Sequence, residues 1–332
     1  MRTIAVLNQK GGVGKTTTVA NVAGALAAAG QKVVVIDLDP QAHLTIHLGV
    51  EPQAIEAGVY EVLTQSAGFD ASLMLVRPNL WLLAADINLV GAETELVNVV
   101  GREIILREAM QASRGQFDFC LIDCPPSLSV LSLNALAAAQ EVLIPLQPHF
   151  LALQGFGKLL QTVDLVNKRI NPHLKVTGVL LCMHDTRASL SNEVRADIDR
   201  FLQSARGTNN AWSGAEILPT FIRRNIKLAE APSYGQTVFE YDPTCNGAED
   251  YGKVAKFLLG IDETPEPAPA PAAPAPEPQS DDPAPAPPAA PPIPIATVNL
   301  PAPRCYSPVP IWTEPAANSP GPEPQRGAIS EV

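Results

Sequence analysis

Short apolar runs alternate with longer helix-forming segments along the first 260 residues. Runs of this kind, bounded by polar or turn-forming residues, are typical of strands that are covered on both faces. They occupy residues 4–7, 33–36, 81–85, 117–123, 141–146 and 176–183. The segments between them have the composition of helices, and we expect the longer helices at 15–29, 93–111 and 154–170. The alternation predicts an α/β fold with a doubly wound, mostly parallel sheet.

The chain changes character after Gly260. Of its 33 prolines, 22 lie beyond this residue, in runs such as PEPAPAPAAPAPEPQ. Proline lacks an amide hydrogen and has a fixed φ, so such runs favour extended chain over helix or sheet. We therefore expect one globular domain over residues 1–260 and a disordered, acidic tail rich in proline and alanine over residues 261–332.

The formal net charge of −11 is divided unevenly between these two parts. The tail has two arginines and nine acidic residues, a net charge of −7, which leaves −4 for the globular part. Neither part is a generally basic nucleic-acid binder, so a DNA contact would require a local basic cluster. No apolar run approaches the ~18 residues that a membrane span needs.

Potential metal ligands follow no recognised zinc spacing. Three of the five cysteines, Cys120, Cys124 and Cys182, lie in apolar runs, as expected for reduced core residues of a cytosolic protein. His43 and His47 are four residues apart, but no third ligand and no zincin glutamate accompanies them. We expect these histidines to be ordinary residues rather than a metal pair.

The first apolar run leads directly into a glycine-rich loop. The sequence IAVLNQKGGVGKTTT has a strand, three glycines and a Lys-Thr-Thr helix start in the order of a phosphate-binding loop. Glycines let successive amides turn toward phosphate oxygens, and the positive end of the helix faces the same anion. We expect Lys15 to reach the β- and γ-phosphates, and the Thr16 hydroxyl to hold Mg²⁺. The predicted nucleotide-binding residues are Lys10, Gly11, Gly12, Val13, Gly14, Lys15, Thr16 and Thr17.

Lys10 narrows the motif further. The sequence KGGVGKTT resembles the deviant loop of the ATPase class that contains ParA, MinD and the nitrogenase iron protein. A solvated surface lysine is the alternative explanation. The resemblance implies a SIMIBI-type P-loop fold, ATP and Mg²⁺ as cofactors, and a homodimer that encloses ATP. In that dimer Lys10 crosses into the nucleotide site of the partner subunit.

Acidic residues follow two of the predicted strands. In IDLDPQA, Asp39 matches the family residue that orients the attacking water, and Asp37 matches the acid nearer Mg²⁺. Without the phosphate-binding loop, two acids capping a turn would be the simpler explanation. In FDFCLIDCPP, Asp123 ends the strand and suits coordination of Mg²⁺ through water. The predicted catalytic residues are Lys10, Lys15 and Asp39, and the predicted metal-binding residues are Thr16, Asp37 and Asp123.

Basic residues late in the domain extend the resemblance. Arg187, in HDTRASL, matches an arginine that ParA and Soj proteins use to bind DNA. The segment IRRNIKLAEAPSYG resembles the family pattern IPRNVRLSEAPSHG, with Arg223 in place of the usual proline. P-loop ATPases also use this late region to cover the nucleotide base, so a structural loop is the alternative. The resemblance predicts a DNA-binding set of Arg187, Arg223, Arg224 and Lys227.

The resemblance to ParA/Soj proteins covers nearly all of residues 2–259, including a closing helix at 241–259. Residues 203–216 are longer than the family pattern and are expected to be an exposed insertion. The resemblance implies a dimerising switch ATPase with slow, partner-stimulated turnover. Such a protein binds DNA non-specifically and positions or segregates DNA or another large cargo with a ParB-like partner. It is cytoplasmic, and associated with the nucleoid when ATP is bound.

The alternative function is that of a MinD-like regulator, which cycles on membranes. That class resembles this chain in nucleotide chemistry but uses a C-terminal amphipathic helix. The terminal sequence PGPEPQRGAISEV is too short and too rich in proline to form one. We therefore expect no membrane partner.

Overall fold

The computed structural model describes residues 1–149, 152–185 and 188–261. Within these residues, helices pack on both faces of a nine-stranded sheet. The strands are β1 (Arg2–Val6), β2 (Val33–Asp37), β3 (Leu73–Arg77), β4 (Leu80–Leu83), β5 (Phe119–Asp123), β6 (Glu141–Leu146), β7 (Lys175–His184), β8 (Glu216–Ile217) and β9 (Ile222–Arg223). The helices are α1 (Lys15–Ala28), α2 (His43–His47), α3 (Val59–Leu63), α4 (Leu89–Glu95), α5 (Ile105–Ala109), α6 (Val130–Ala138), α7 (Ala152–Arg169), α8 (Ser189–Ser204), α9 (Lys227–Glu230), α10 (Val238–Tyr241) and α11 (Asn246–Leu259).

The strands follow the order β3-β4-β2-β5-β1-β6-β7-β8, and β9 pairs with β7. Every pair is parallel except β3 with β4. The predicted doubly wound, mostly parallel sheet is therefore confirmed. All six predicted strands are present, whereas β3, β8 and β9 were not predicted from the sequence. Two of these have only two residues, and β3 is an exposed edge strand with only partly buried side chains.

The central strands are hydrophobic throughout because both of their faces are covered. Along β1, Ile4 and Val6 face one core, while Ala5 faces the other. Helices α1 and α11 cover the first core, and α6 and α7 cover the second. Burying each aliphatic side chain of this kind stabilises the fold by about 1.5–3 kcal/mol. The sheet thus holds the ends of β1, β2 and β5 rigidly beside one another.

The predicted single helix over residues 93–111 is wrong. The structure has α4, one 3₁₀ turn at Leu96–Asn98, a non-helical segment and then α5. Val99 is extended, and Gly101 adopts a φ of 76°, which belongs to the left-handed region. β-branched residues disfavour a helix and a glycine in this conformation ends one, so the amphipathic pattern is divided in two.

Residues 203–216 are only partly exposed. Positions 206–209 face solvent, as expected for an insertion, but Ala211, Trp212 and Ala215 are buried against the core. The amide of Val176, in β7, donates to the Ala211 carbonyl oxygen. This segment therefore includes a packed extension of the sheet edge as well as an exposed turn.

Cys120, Cys124 and Cys182 are buried free thiols, which confirms their assignment to the core. Apart from Ile261, the predicted tail lies outside the described residues, and the prediction of a disordered tail remains untested. Among the helices of the described residues, none combines the length and the apolar character needed to cross a membrane.

Candidate functional site

The loop between β1 and α1 has the backbone geometry of an anion site. Gly12 and Gly14 adopt φ values of 72° and 93°, a conformation that residues with a side chain rarely adopt. Helix α1 begins at Lys15 and has no acidic residue in its first turn. Its positive end and its first amides therefore face the loop without a carboxylate from the helix itself.

Lys15 places a positive charge inside this loop. The residue is only 8% exposed, and its Nζ donates to the Lys10 carbonyl oxygen over a long distance of 3.4 Å. A buried ammonium group needs strong acceptors to replace the water it has lost. The position of Lys15 is therefore suited to binding a second, negatively charged group.

An acidic edge lies next to the loop because three parallel strands end together. In the sheet register, Asp123 of β5 is paired with Val6 of β1 and with Asp37 of β2. The Thr16 hydroxyl donates to Asp123 Oδ2 at 2.6 Å. The structure thus brings together Thr16, Asp37 and Asp123, the three residues predicted to bind metal.

The Asp123 carboxylate is buried and incompletely satisfied. It is 1% exposed, and its Oδ1 atom has no hydrogen-bond partner in the described part of the chain. Burial raises the pKa of Asp123 well above its ordinary value, and the nearby charge of Asp37 raises this pKa further. A cation would stabilise the charged form of both carboxylates.

Asp37 is completely buried but has several hydrogen-bond donors. Its Oδ1 accepts from the Asp39 amide at 3.1 Å, and its Oδ2 accepts from the amide and the hydroxyl of Thr45 at 2.9 and 2.8 Å. Burial raises the pKa of Asp37 to about 6, although the hydrogen bonds from Thr45 oppose this shift. Thr45 was not predicted from the sequence, because a threonine in a short helix gives no sign that it contacts a distant acid.

Asp39 lies in the loop between β2 and α2, beyond the buried acids. The residue is partly exposed, and its Oδ1 accepts from the Gln41 amide at 3.0 Å. Asp39 therefore caps a turn, as the simpler explanation of this motif requires, while it also lies near the two predicted metal ligands. The hydrogen bond from the Gln41 amide orients the Asp39 carboxylate. It is compatible both with a turn cap and with a residue that orients the attacking water.

The acids and the threonine fit the coordination chemistry of Mg²⁺. This ion takes oxygen ligands and usually keeps several waters, binding through one or two carboxylates and substrate phosphates. Among the described residues, no three His, Cys, Asp or Glu side chains form a ready-made metal cluster. The unpartnered Asp123 oxygen and the Thr16 hydroxyl are consistent with a magnesium site that substrate phosphates complete.

Lys10 lies on the exposed side of the same loop. Its Nζ contacts the Nε2 atom of His149, which follows β6. Partial burial and the charge of Lys10 both lower the pKa of His149. The contact leaves Lys10 accessible to solvent, and no sequence pattern predicted His149 as its neighbour.

The predicted DNA-binding residues differ in how much of their charge is available. Arg224 is exposed and makes no ion pair within the described residues. Arg223 instead pairs with Asp250 and Glu249, at 2.6 and 2.5 Å. The structure also pairs Lys227 with Glu230 at 3.0 Å, and Arg187 lies outside the described residues.

Comparison with known proteins agrees with this geometry. Residues 1–176 match a family model described as an AAA domain. The sporulation initiation inhibitor protein Soj of Bacillus subtilis is 41% identical over 254 residues, which cover 76% of this chain and 96% of Soj. The chromosome partitioning protein ParA of Caulobacter vibrioides is 41% identical over 262 residues, which cover 78% of this chain and 94% of that protein.

A solved structure shows the same fold with a nucleotide bound. Cobyrinic acid a,c-diamide synthase from Mycobacterium smegmatis, with bound ADP and magnesium, is 37% identical, with a TM-score of 0.65. The match covers 78% of this chain and 94% of that chain. From the identity and coverage of the Soj and ParA relatives, the chain belongs to the Soj/ParA family of chromosome-partitioning ATPases.

Proposed function

We propose that this protein is a switch ATPase that forms a dimer with ATP, binds DNA non-specifically and moves DNA or another large cargo. Turnover is slow and is stimulated by a ParB-like partner. The protein is cytoplasmic and associates with the nucleoid in its ATP form. The observation that carries the nucleotide part of this proposal is the buried Asp123 oxygen without a partner, beside Thr16 and the phosphate-binding loop.

The residues of the site divide the work of phosphoryl transfer. Mg²⁺, held through Thr16, Asp37 and Asp123, would offset the negative charge of the phosphates. Lys15 and the loop amides bind and orient the phosphate groups. Lys10 extends from the exposed side of the loop, from which it could reach the nucleotide site of a second subunit.

Asp39 orients the attacking water in this proposal. Two features of the structure support the role: the carboxylate is partly exposed, and its backbone amide is bound to the buried Asp37. Its position is thus tied to that of a predicted metal ligand. Such a residue acts on the transition state more than on ground-state binding of ATP.

Calorimetry with ATP and Mg²⁺ tests the nucleotide assignment. Lys15→Ala should abolish binding, whereas Lys32→Ala, which removes an exposed lysine just before β2, should leave the affinity unchanged. Lys10→Ala should bind ATP yet remain a monomer in light scattering. Unchanged ATP affinity in Lys15→Ala would remove the basis for the phosphate-binding loop.

A gel-shift assay run beside liposome sedimentation tests the proposed partner class. The ATP-bound protein should shift duplex DNA without sequence preference, and the ADP-bound protein should not. If the protein instead sediments with anionic liposomes and leaves DNA unshifted, a MinD-like membrane cycle replaces the DNA-binding proposal.

A further inference from the structure

A buried threonine connects the acidic edge to the neighbouring strand. Thr45, in α2, donates from both its amide and its hydroxyl to Asp37 Oδ2. Its hydroxyl oxygen also accepts from the Ala85 amide at 3.0 Å, just beyond the end of β4. Thr45 and Asp37 are both 0% exposed. These hydrogen bonds are therefore shielded from bulk water.

The same hydrogen-bond network continues into the loop that carries Asp39. The Asp39 amide donates to the second Asp37 oxygen, and the Asp39 carbonyl oxygen accepts from the Ala42 amide at 2.8 Å. Ala42 adopts a φ of 53°, a left-handed conformation that is unfavourable for a residue with a side chain. This conformation persists because helix α2 and its contacts hold the chain in place after the turn.

The chemistry of the Thr45 site indicates more than core packing. Valine has nearly the shape of threonine and would avoid burying a hydroxyl group. Here the hydroxyl has one donor contact and one acceptor contact, so it fixes the direction of the Asp37 carboxylate relative to β4. The carboxylate direction, in turn, determines where the Asp39 amide can lie.

We propose that Thr45 is a positioning residue for ATP hydrolysis. Its hydroxyl and amide fix Asp37, and through Asp37 they fix the loop that carries the water-orienting Asp39. Of the acidic side chains in the site, Thr45 forms hydrogen bonds with Asp37 alone within the described residues. Thr45 therefore acts on Asp39 through Asp37. The inference rests on the proposed roles of Asp37 and Asp39.

Two substitutions separate the hydroxyl from the shape of the side chain. Thr45→Val removes the hydroxyl, keeps the branched shape and leaves the amide in place, whereas Thr45→Ser keeps the hydroxyl. Thr64→Val is a matched control, because the Thr64 hydroxyl bonds only local atoms near the end of α3. All three variants are compared with the wild-type protein in full-length form.

Single-turnover hydrolysis of bound ATP is the first measurement. A positional error of about 1 Å can cost up to about 100-fold in rate, so we expect the rate to fall about tenfold or more in Thr45→Val. Thr45→Ser and Thr64→Val should stay within about threefold of wild type. The affinity for ADP should change little in every variant, since the loop amides and Lys15 are untouched.

Hydrogen exchange without nucleotide supplies a readout that is independent of activity. Amides in the segment 38–49 and at Ala85 should exchange faster in Thr45→Val than in wild type, and near the wild-type rate in Thr45→Ser. An unchanged hydrolysis rate in Thr45→Val would overturn the proposal. So would a loss of ADP binding in Thr45→Val, or a serine variant as impaired as the valine variant, because either result assigns Thr45 to the fold alone.

The hydrolysis assay distinguishes failure of the proposed ATPase function from failure of the proposal for Thr45. Failure of the ATPase function would be seen in the wild-type protein, as an absence of Mg²⁺-dependent ATP hydrolysis. Failure of the present inference would leave wild-type hydrolysis intact and the Thr45→Val rate unchanged.

Discussion

Two adjacent arginines, Arg223 and Arg224, should respond to substitution in opposite ways. The Arg223 guanidinium donates to both oxygens of Asp250, with distances between 2.6 and 3.1 Å, and also to Glu249. Arg224 is exposed and has no ion pair within the described residues. We therefore expect Arg223→Ala to lower the free energy of unfolding, and Arg224→Ala to lower the affinity for DNA.

The expected loss of stability follows from the burial of the two partners. The Asp250 side chain is 4% exposed, so removing Arg223 leaves a carboxylate in the core with only the residue-223 amide as its donor. Removing one partner of a fully buried pair costs about 3–5 kcal/mol. The Arg223 side chain is 35% exposed, so solvent partly screens its charge. We therefore expect Arg223→Ala to lower the free energy of unfolding by about 2 kcal/mol, near the value of a hydrogen bond to a charged group.

Thermal unfolding and DNA binding together test this expectation. A loss of about 2 kcal/mol should lower the melting temperature of a domain of this size by about 4–8 °C, whereas Arg224→Ala should stay within about 0.5 kcal/mol of wild type. If each subunit of a dimer uses Arg224 for one phosphate, Arg224→Ala should reduce the log–log salt slope of DNA binding by about 2. Arg223→Ala should change that slope by less than 1.

The reasoning would be refuted if the two variants had equal melting temperatures. It would also fail if Arg223→Ala folded normally but lost as much of the salt slope as Arg224→Ala. The first outcome would mean that the pairing with Asp250 contributes little to stability, and the second would mean that Arg223 is available to bind DNA.

Three further predictions follow from the site, a buried histidine and the tail. Asp39→Ala should bind ATP with little change and accumulate as a dimer in light scattering, because water positioning acts on the transition state; a monomer without ATP affinity would contradict this. Burial lowers the pKa of His47 to about 4, so below about pH 6.5 the unfolded chain binds the extra proton and the folded state loses stability. In urea titrations, the free energy of unfolding of the wild type should fall by about 2 kcal/mol more than that of His47→Gln between pH 7 and pH 5. If the two proteins lost stability in parallel, His47 would not be the cause. Removing residues 263–332 should leave ATPase activity and melting temperature nearly unchanged, since proline-, alanine- and acid-rich sequence buries little apolar area; a large drop in melting temperature would contradict this.

The parts of the structure that local sequence determines were predictable. The order of strand, glycines and Lys-Thr placed the loop before α1, because each step depends on neighbouring residues. The apolar runs that became β2 and β5 predicted strands covered on both faces, and the carboxyl ends of parallel strands bring Asp37 and Asp123 together. The proximity of the residues predicted to bind metal was thus predictable, while their role as metal ligands remains a prediction.

Long-range contacts were not predictable in the same way. Asp250 lies 27 residues from Arg223, and the Arg2–Glu141 ion pair spans 139 positions, so no spacing rule connects these residues. The division of the 93–111 helix depended on the conformations of Val99 and Gly101, which an amphipathic pattern does not reveal. The resemblance therefore could not show that Arg223, one of the four predicted DNA-binding residues, is already paired with Asp250 and Glu249.

Burial of charge at the end of the sheet links the energetics of this fold to the binding of a magnesium nucleotide. Burial raises the pKa of both Asp37 and Asp123, and the charge of Asp37 raises the pKa of Asp123 further. Within the described residues, Lys15 has only the distant Lys10 carbonyl oxygen as a hydrogen-bond acceptor. Without a ligand, both arrangements destabilise the folded state. A cation would relieve the acids, and an anion would relieve the lysine and the loop amides, so a magnesium nucleotide complements both at once. Because a ligand shifts a conformational equilibrium only by its differential affinity, relief of this buried charge would supply the energy difference that the proposed switch requires.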